Sequence, residues 1–270
     1  MIDVGVITGS GIYALPGVAE PRRVKTRFGE AELSVIEVGP WRVGGVSRHG
    51  EGHRHLPHTV PHRANLAALK DLGAQAVLAT TAVGAVDPAV CLGSPVIFDD
   101  LFFPENRLPG GEPCTMFTEP GDGERGHLIM SEPFASRLRR KVELAARALG
   151  LKPTISGVYG HTNGPRFETR AEISWLRAFG VTAVSQTAGP EAVLAGELEL
   201  PYALVGFPVN YAAGIAEASQ EPREELERLL ALSAEQLLRI VLRTVETLQR
   251  EDLAFDHGYV YRVDGGVGRR

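Results

Sequence analysis

The sequence predicts a single α/β domain. Apolar, strand-like runs alternate with helical patterns along 270 residues, the order expected of strands and helices around a largely buried sheet. No internal repeat or low-complexity linker marks a second domain, and the length is sufficient for one large hydrophobic core. We therefore expect one domain over residues 1–270, with an irregular tail from about residue 255, where no periodicity is visible.

Eight apolar runs are predicted as strands, because each has strand-like length and several are bounded by glycine. In chain order these runs cover residues 4–8, 33–38, 42–47, 76–81, 95–98, 154–159, 181–185 and 202–207.

Three segments with leucines at helical spacing are predicted as helices. Residues 61–72 stop at Gly73 and residues 133–149 stop at Gly150, and glycine is common just after a helix. The longest predicted helix covers about residues 222–249, with a proline near its first turn. Residues 100–125 are rich in glycine, proline and charge, and are predicted as a long surface loop.

Composition narrows the possible partners. The net charge of −5 gives no reason to expect nucleic acid or an anionic membrane, because both favour basic patches. Only Cys91 and Cys114 are present, which fits a reducing compartment better than a disulfide scaffold. No signal peptide precedes the first strand, and no apolar run approaches the roughly 20 residues of a membrane-spanning helix. We expect a soluble, cytoplasmic protein.

Three turns at predicted strand ends are candidates for binding an anion. Ser10 lies in a glycine-rich turn directly after the first strand, which leaves backbone N–H groups and a hydroxyl free. Arg48 and His49 begin the histidine-rich segment 47–58, where the guanidinium fork suits phosphate and the imidazole offers a further donor. Residues 79–84 are small enough for a ligand to approach their backbone closely. Plain turns or a solvated loop are the alternatives, and a metal site is disfavoured because a glycine-rich loop does not hold histidines at zinc-ligand spacing.

Three further segments could contact an aromatic ligand. Residues 164–172 lead into a helix; Phe167 could stack on a base and Glu168 could accept its hydrogen bonds. The alternative is a helix start whose acidic residues favour the dipole. Residues 185–191 and 208–214 each follow a strand, and Asn210 could bind a ligand or serve only as a turn residue.

Taken together and in order, these six segments resemble the trimeric purine nucleoside phosphorylase and methylthioadenosine phosphorylase family. The resemblance runs from Val4 to about Leu248, and the Arg-His-Gly loop followed by Pro57 and residues 63–70 looks most like the methylthioadenosine branch. It implies a single nucleoside phosphorylase domain with a central mixed, partly barrel-like β-sheet flanked by helices. It also implies a homotrimer in which a neighbour's loop closes the site; the loop around residues 100–127, with His127, is the expected donor.

The resemblance implies two sets of site residues. The set for phosphate is Ser10, Arg48, His49, Thr81, Ala82 and Thr187. The set for the nucleoside is Phe167, Glu168, Gln186, Asn210, Tyr211 and Ala212, of which Gln186 lies beside the ribose where the family usually has methionine. Asn210, Glu168 and His49 are the expected catalytic residues. No metal or cofactor is expected, and inorganic phosphate is a co-substrate.

The base-reading positions favour a 6-oxopurine. Relatives that take 6-aminopurines resemble one another in having aspartates in the segment that reads 210–212 here, whereas 6-oxopurine relatives have Asn there and Glu at position 168, as this chain does. An ionised Glu168 only accepts hydrogen bonds, so it suits the N1–H of hypoxanthine or guanine, and the Asn210 amide can donate to O6 and accept from a protonated N7. Mispairing costs about 1–3 kcal/mol per group, so two mispaired groups disfavour adenine by on the order of 10² or more.

The resulting expectation is a pentosyltransferase that catalyses reversible phosphorolysis of inosine, guanosine or 5′-methylthioinosine to free base and ribose 1-phosphate or its 5-methylthio analogue. An S-methyl-5′-thioadenosine phosphorylase, a hydrolase, and a non-catalytic purine- and phosphate-binding protein are the alternatives. The 5′ group stays open between hydroxyl and methylthio: the segment 221–226, near the start of the last helix, is polar, where methylthio-accepting relatives are apolar.

Overall fold

A computed structural model describes residues 1–216 and 223–263 of the chain. The strands in this part of the chain are β1 (Val4–Thr8), β2 (Glu20–Thr26), β3 (Gly29–Val38), β4 (Trp41–Ser47), β5 (Ala76–Ala85), β6 (Val96–Ile97), β7 (Asp100–Phe102), β8 (Gly126–Met130), β9 (Val158–His161), β10 (Val181–Ser185), β11 (Tyr202–Tyr211) and β12 (Gly258–Arg262). The helices are α1 (His62–Asp71), α2 (Ser136–Ala148), α3 (Arg170–Ala178), α4 (Ala188–Glu197) and α5 (Arg223–Thr247), with short 3-10 helices at Glu51–His53, Pro57–Thr59 and Arg250–Leu253.

Ten strands form one mixed sheet around β5. Its main path runs β2-β3-β4-β1-β5-β10-β9-β7, and β11 pairs with both β5 and β6. Strands β1, β4, β5 and β11 are mutually parallel, whereas β10 runs antiparallel to β5. Because β5 bonds to three strands, the sheet branches there. The expected α/β domain with a mixed sheet flanked by helices is confirmed.

Helices cover both faces of the central strands. Val4 and Val6 of β1 belong to the same apolar cluster as residues of α2 and α5, whereas Ile7 clusters with residues of α1 and α4. Gly5 shows how closely α1 packs, because a Cβ atom there would lie 2.9 Å from Leu69 Cδ1. Covered on both faces, these strands are continuous apolar runs, which explains why the sequence predicts them well.

The predicted elements are confirmed where burial leaves a clear pattern. β1 and β10 have the predicted bounds, and the helices before Gly73 and Gly150 end as expected, with both glycines at positive φ. Other strands are longer or shorter than predicted: β5 and β11 extend four residues further, and the strand predicted from residue 154 begins at residue 158. The proline predicted in the first turn of the last helix, and residues 221–222 of the segment assigned to the 5′ group, lie outside the described residues.

Four strands and one helix were not predicted, because their sequences lack the apolar pattern typical of such elements. β2 is almost wholly exposed, β7 is only three residues long, and β8 and β12 pair with each other as a separate, partly exposed two-stranded sheet. The tail predicted to be irregular from about residue 255 therefore contains a strand, and the loop predicted over 100–125 begins with one. Helix α4 is buried nearly all round, so it has no polar face from which helical periodicity could be detected.

Candidate active site

The candidate site lies where two strands beside β5 end. On one edge of β5, β1 pairs as far as Ile7 with Ala79, and β10 pairs from Val184 with Gly84. Residues 80–83 lie between these two ladders. Because β10 is antiparallel to β5, the carboxyl ends of β1 and β10 approach this stretch from opposite directions. Such switch points in α/β sheets are where ligands bind, since loops and backbone groups meet there instead of a neighbouring strand.

The first anion-binding segment meets β5 at this point. The backbone N–H of Gly9 donates to Thr80 Oγ1 over 3.0 Å. A Cβ atom on Gly9 would lie 2.9 Å from the Thr80 carbonyl oxygen and 3.2 Å from Arg48 Nη1, so a side chain there would force the three segments apart. Ser10, partly exposed, follows directly. Three segments that the sequence predicts to bind an anion therefore converge: the turn after β1, the turn after β4 and the middle of β5.

Arg48 is buried as deeply as any charged residue of the site, at 1% exposure for the whole residue. Its Nε and Nη2 donate to the two carboxylate oxygens of Glu191 over 2.5 and 2.8 Å, and Nη1 donates to the Thr80 carbonyl over 2.8 Å. The fork formed by Nε and Nη2 is therefore occupied by Glu191, and the role of Arg48 in phosphate binding stays a prediction that depends on its other N–H groups. These contacts use three of the five N–H groups of arginine, so one on each terminal nitrogen has no acceptor within the described residues.

Glu191 is a buried charged residue of this region to which the sequence assigned no role. It lies in the first turn of α4, fully buried, and Tyr202 Oη donates to its Oε2 over 2.8 Å. Burial works against its ionised form, yet the Arg48 guanidinium keeps the pKa of Glu191 below its ordinary value. Burial and the same carboxylate raise the pKa of Tyr202. The available signal was a lone acid inside the otherwise uncharged run 188–196, since a buried carboxylate needs a partner.

His49 has a defined tautomer. Its Nδ1 lies 2.8 Å from the carbonyl oxygen of His55, which can only accept, so Nδ1 carries the proton. Burial, followed by the nearby Arg48 charge, lowers the pKa of His49 to about 4. The ring is therefore neutral at pH 7 and Nε2 is an acceptor. In this neutral form Nε2 can accept the hydrogen of a P–OH group, and it donates to phosphate, as predicted from the sequence, only after taking up a proton.

A second histidine stacks on His49. The rings of His49 and His53 lie 4.3 Å apart, centroid to centroid, with an angle of 9° between their planes. Tyr13 Oη lies 3.4 Å from His53 Nδ1. The histidine-rich segment therefore orders the His49 ring by stacking. Among the described residues, no three His, Cys, Asp or Glu side chains are grouped as a metal ion would require.

The remaining phosphate candidates lie on the same stretch of β5 and at the start of α4. Thr81 Oγ1 is 3.1 Å from Ser185 Oγ at the end of β10. Thr187 is the buried residue that precedes α4, four residues before Glu191. The backbone N–H and C=O groups of alternate residues point to the same edge of a strand. Because the Thr80 carbonyl accepts from Arg48, we expect the backbone N–H of Ala82 to face that edge of β5 too.

Glu168, a candidate base-reading residue, is hydrogen-bonded to the segment that follows β10. Glu168 Oε1 accepts from Thr162 Oγ1 over 2.5 Å, and Gln186 Nε2 lies 3.4 Å away. Gln186 Nε2 also donates to the Arg166 carbonyl over 2.9 Å. Gln186, predicted beside the ribose, is therefore hydrogen-bonded to the loop that carries Glu168. Oε2 of that half-buried carboxylate has no hydrogen-bond partner in the described part of the chain.

A β-bulge directs Asn210 toward the same region. The pairing of β11 with β5 shifts between Pro208 and Asn210, so that Asn210 lies opposite Gly84, which in turn pairs with Val184. Bulges reorient side chains in this way beside many active sites. Asn210 Nδ2 donates to the Tyr211 carbonyl over 2.9 Å and lies 3.7 Å from the position of a Cβ atom on Gly84. One amide hydrogen and Oδ1 remain for a ligand.

The other predicted nucleoside contacts have different surroundings. Tyr211 Oη donates to the Val90 carbonyl, and the buried Ala212 is bonded through its backbone N–H to Ala85. Phe167 is 83% exposed. Thr169 and Glu172 cap α3 reciprocally, so the helix-start interpretation holds for Glu172, whereas Glu168 lies outside the helix.

The loop expected to reach a neighbour's site bonds within its own chain, where Glu105 accepts from Asn163 and Cys114 contacts the Pro190 carbonyl beside Glu191. His127 is exposed on β8 and lines a cavity of about 410 Å³ together with residues of β7, β8 and α4 and of the loop after β7. None of the candidate site residues lines that cavity. A role for His127 in a neighbouring subunit therefore stays a prediction.

Comparisons with known proteins identify the family. Residues 3–246 match the family described as the phosphorylase superfamily. The chain is 37% identical to the 6-oxopurine nucleoside phosphorylase of Pyrococcus furiosus, covering 93% of this chain and 95% of the relative. It is 39% identical to the probable S-methyl-5′-thioinosine phosphorylase of Methanopyrus kandleri, covering 80% and 81%. The methylthioadenosine phosphorylase from Schistosoma mansoni, solved in complex with adenine, superposes with a TM-score of 0.80 at 29% identity and 91% coverage of both chains.

Proposed function

Because the chain belongs to the phosphorylase superfamily, we propose that it is a purine nucleoside phosphorylase specific for 6-oxopurines. It uses inorganic phosphate as co-substrate and needs no other cofactor. The products are the free base and ribose 1-phosphate, or its 5-methylthio analogue. Relatives named as 6-oxopurine nucleoside and S-methyl-5′-thioinosine phosphorylases support this choice.

One observation carries the proposal: residues 80–84 of β5 join a group of anion-binding candidates to a group of base-reading candidates. Arg48 bonds to Thr80 at one end, and Asn210 lies opposite Gly84 at the other. At about 3.3 Å per strand residue, these two ends are separated by roughly 13 Å. Phosphate at one end and a purine at the other therefore fit one extended site, with ribose between them.

In this site phosphate attacks C1′ of the ribose as the C1′–N9 bond breaks. Ser10, Thr81, Thr187 and the free N–H groups of Arg48 orient the phosphate, which is mainly an effect of position. His49 Nε2 accepts the phosphate P–OH hydrogen. The electron pair of the broken bond passes to the purine, which takes a proton at N7 from water. The negative charge that develops toward O6 is stabilised by the donating amide N–H of Asn210, while Glu168 holds the base through N1–H.

Base selection rests on the free atoms of these two side chains. Glu168 Oε2 accepts from N1–H of hypoxanthine or guanine, while Asn210 donates its second amide hydrogen to O6 and accepts N7–H at Oδ1. Thr162 and Gln186 support this reading, because their contacts with Oε1 orient the carboxylate. Adenine presents a lone pair at N1 and a donor at C6, so both contacts are mispaired.

The likeness to methylthioadenosine phosphorylases favours one second candidate, an enzyme acting on S-methyl-5′-thioadenosine. A substrate panel separates the two: inosine, guanosine, adenosine, 5′-methylthioinosine and 5′-methylthioadenosine, each with and without phosphate, with free base measured by chromatography. We expect base release from the oxopurine nucleosides only when phosphate is present. Preference for the adenine nucleosides establishes the second candidate, release without phosphate indicates a hydrolase, and binding without release indicates a non-catalytic protein.

The panel also decides the 5′ group, by comparison of inosine with 5′-methylthioinosine.

A homotrimer in the cytoplasm remains part of the proposal. Sedimentation of the purified chain tests the assembly, and a monomer with full activity would exclude a neighbour's loop from the reaction. No helix in residues 1–216 or 223–263 has the length and apolar character to cross a membrane.

A further inference from the structure

Glu191 has no assigned role, although it holds the central cation of the site. Its two oxygens accept from Nε and Nη2 of Arg48, and Oε2 also accepts from Tyr202. Both side chains of the ion pair are buried, at 0% and 1% exposure. A bidentate contact fixes the plane and the rotation of the guanidinium group, which a single hydrogen bond does not.

The pair also determines which N–H groups of Arg48 have no acceptor in the described part of the chain. With Nε and Nη2 directed at Glu191 and Nη1 directed at the Thr80 carbonyl, the remaining hydrogens of the two terminal nitrogens point along fixed directions. Gly9, at the end of β1, approaches the same Nη1 atom, since its Cβ position lies 3.2 Å from it. Nη1, which carries one of the free N–H groups of Arg48, therefore lies beside the turn that carries Ser10.

The charge of Glu191 has a second consequence. The buried pair of Arg48 and Glu191 is neutral as a whole, and His49 is neutral at pH 7. These three residues therefore contribute no net charge where phosphate is proposed to bind. Phosphate binding then depends on how well donors are aligned more than on net attraction. Breaking a buried ion pair leaves an uncompensated charge and is strongly destabilising. We therefore expect the Arg48 guanidinium group to move if the Glu191 carboxylate is removed.

We propose that Glu191 is a positioning residue for phosphate: it acts through Arg48, holding two guanidinium N–H groups at the angle at which the attacking phosphate is bound. The inference rests on the proposed phosphorolysis for its kinetic consequences, but it concerns phosphate binding alone. Tyr202 contributes by fixing Oε2 of the carboxylate. The nucleoside contacts at Glu168 and Asn210 are independent of it.

The test is Glu191→Gln, with phosphate and inosine varied separately. We expect kcat/KM for phosphate to fall at least about tenfold, since small displacements of a positioning group cost large factors, while KM for inosine stays within twofold. Glu197→Gln is the matched control, because Glu197 is a partly buried carboxylate at the end of the same helix, bonded to Thr115 and the Met116 backbone away from the site. Equal losses in the two variants overturn the inference.

A double-mutant cycle shows whether the effect passes through Arg48. In an Arg48→Lys background, which lacks the fork, Glu191→Gln should change kcat/KM for phosphate by less than twofold. Losses that multiply in the double variant show an independent role and overturn the inference. If Glu191→Gln does not fold, Glu191→Asp takes its place: it keeps the charge but withdraws the carboxylate by one methylene, and it should raise KM for phosphate at least about threefold. An unchanged KM for phosphate in a folded Glu191→Asp protein refutes the positioning role.

Calorimetry with inorganic phosphate separates this inference from the proposed function. A wild-type chain that binds phosphate but releases no base from any nucleoside refutes the phosphorylase proposal and leaves the positioning role measurable. In that case we expect phosphate to bind at least about tenfold more weakly to Glu191→Gln than to Glu197→Gln. A wild-type chain that does not bind phosphate refutes the positioning role directly.

Discussion

Asn210→Asp is the sharpest test of base selection. The amide of Asn210 has two hydrogens: one is donated to the Tyr211 carbonyl over 2.9 Å, and the other is available to purine O6. Aspartate donates neither. It presents a carboxylate oxygen to the Tyr211 carbonyl and to O6, while retaining an acceptor for N7–H.

The size of the effect follows from the number of mispaired groups. Loss of the bond to Tyr211 affects the free and bound enzyme alike, so only the contact with O6 changes selectivity. One mispaired polar group costs about 1–3 kcal/mol, which corresponds to a fall of about 5- to 150-fold in kcat/KM for inosine. Adenosine gains an acceptor for its 6-amino group, so its kcat/KM should rise. The ratio of the two should therefore fall by on the order of 10².

The assay measures kcat/KM for inosine and adenosine at saturating phosphate, with the release of free base as the signal. Asn106→Asp, an exposed position on the loop after β7, is the control for the added charge. Thermal denaturation of both variants separates the stability cost of the Tyr211 contact from the change in selectivity. An Asn210→Asp enzyme that keeps the full wild-type preference for inosine would refute this account of base selection.

Two further predictions concern the anion side and the buried histidines. In Gly9→Ala the new Cβ atom lies 2.9 Å from the Thr80 carbonyl oxygen, so we expect kcat/KM for phosphate to fall about tenfold or more. The control is Gly123→Ala, which has no neighbour within 4 Å of its Cβ position and should match the wild type. Equal phosphate kinetics in the two variants would contradict the convergence of the segments after β1, after β4 and in the middle of β5. Burial is the main cause that lowers the pKa of His49 and His62 to about 4 and that of His161 to about 3. Between pH 6.5 and 4 the unfolded chain therefore binds up to three protons that the folded chain excludes, so stability is unaffected above pH 6.5 and is lost as pH falls. Urea unfolding at pH 7 and pH 5.5 should differ by roughly 4 kcal/mol from these groups, and an equal free energy of unfolding at the two pH values would show that they are not buried as neutral rings.

Local chemistry made several parts of this protein readable from the sequence. β1, β4, β5, β10 and β11 are apolar runs because helices cover them or because they lie centrally in the sheet, and periodicity and glycine stops located α1 and α2. The polar residues at strand ends identified most of the candidate site. Their types alone supported the division into an anion side and a base side, since a carboxylate only accepts hydrogen bonds and a guanidinium only donates them.

Long-range pairing decided the rest, because no local pattern contains it. The sequence predicted that Arg48 and Asn210 follow strands and that Glu168 lies in a segment leading into a helix. Only the tertiary structure decided that β1 and β10 end on opposite sides of residues 80–83. It likewise decided that a bulge beside Pro208 reorients Asn210, and that Glu191, 143 residues from Arg48 in the chain, receives its guanidinium fork. A buried ion pair is stable only when both partners leave water together, so neither residue's role can be derived from its own segment.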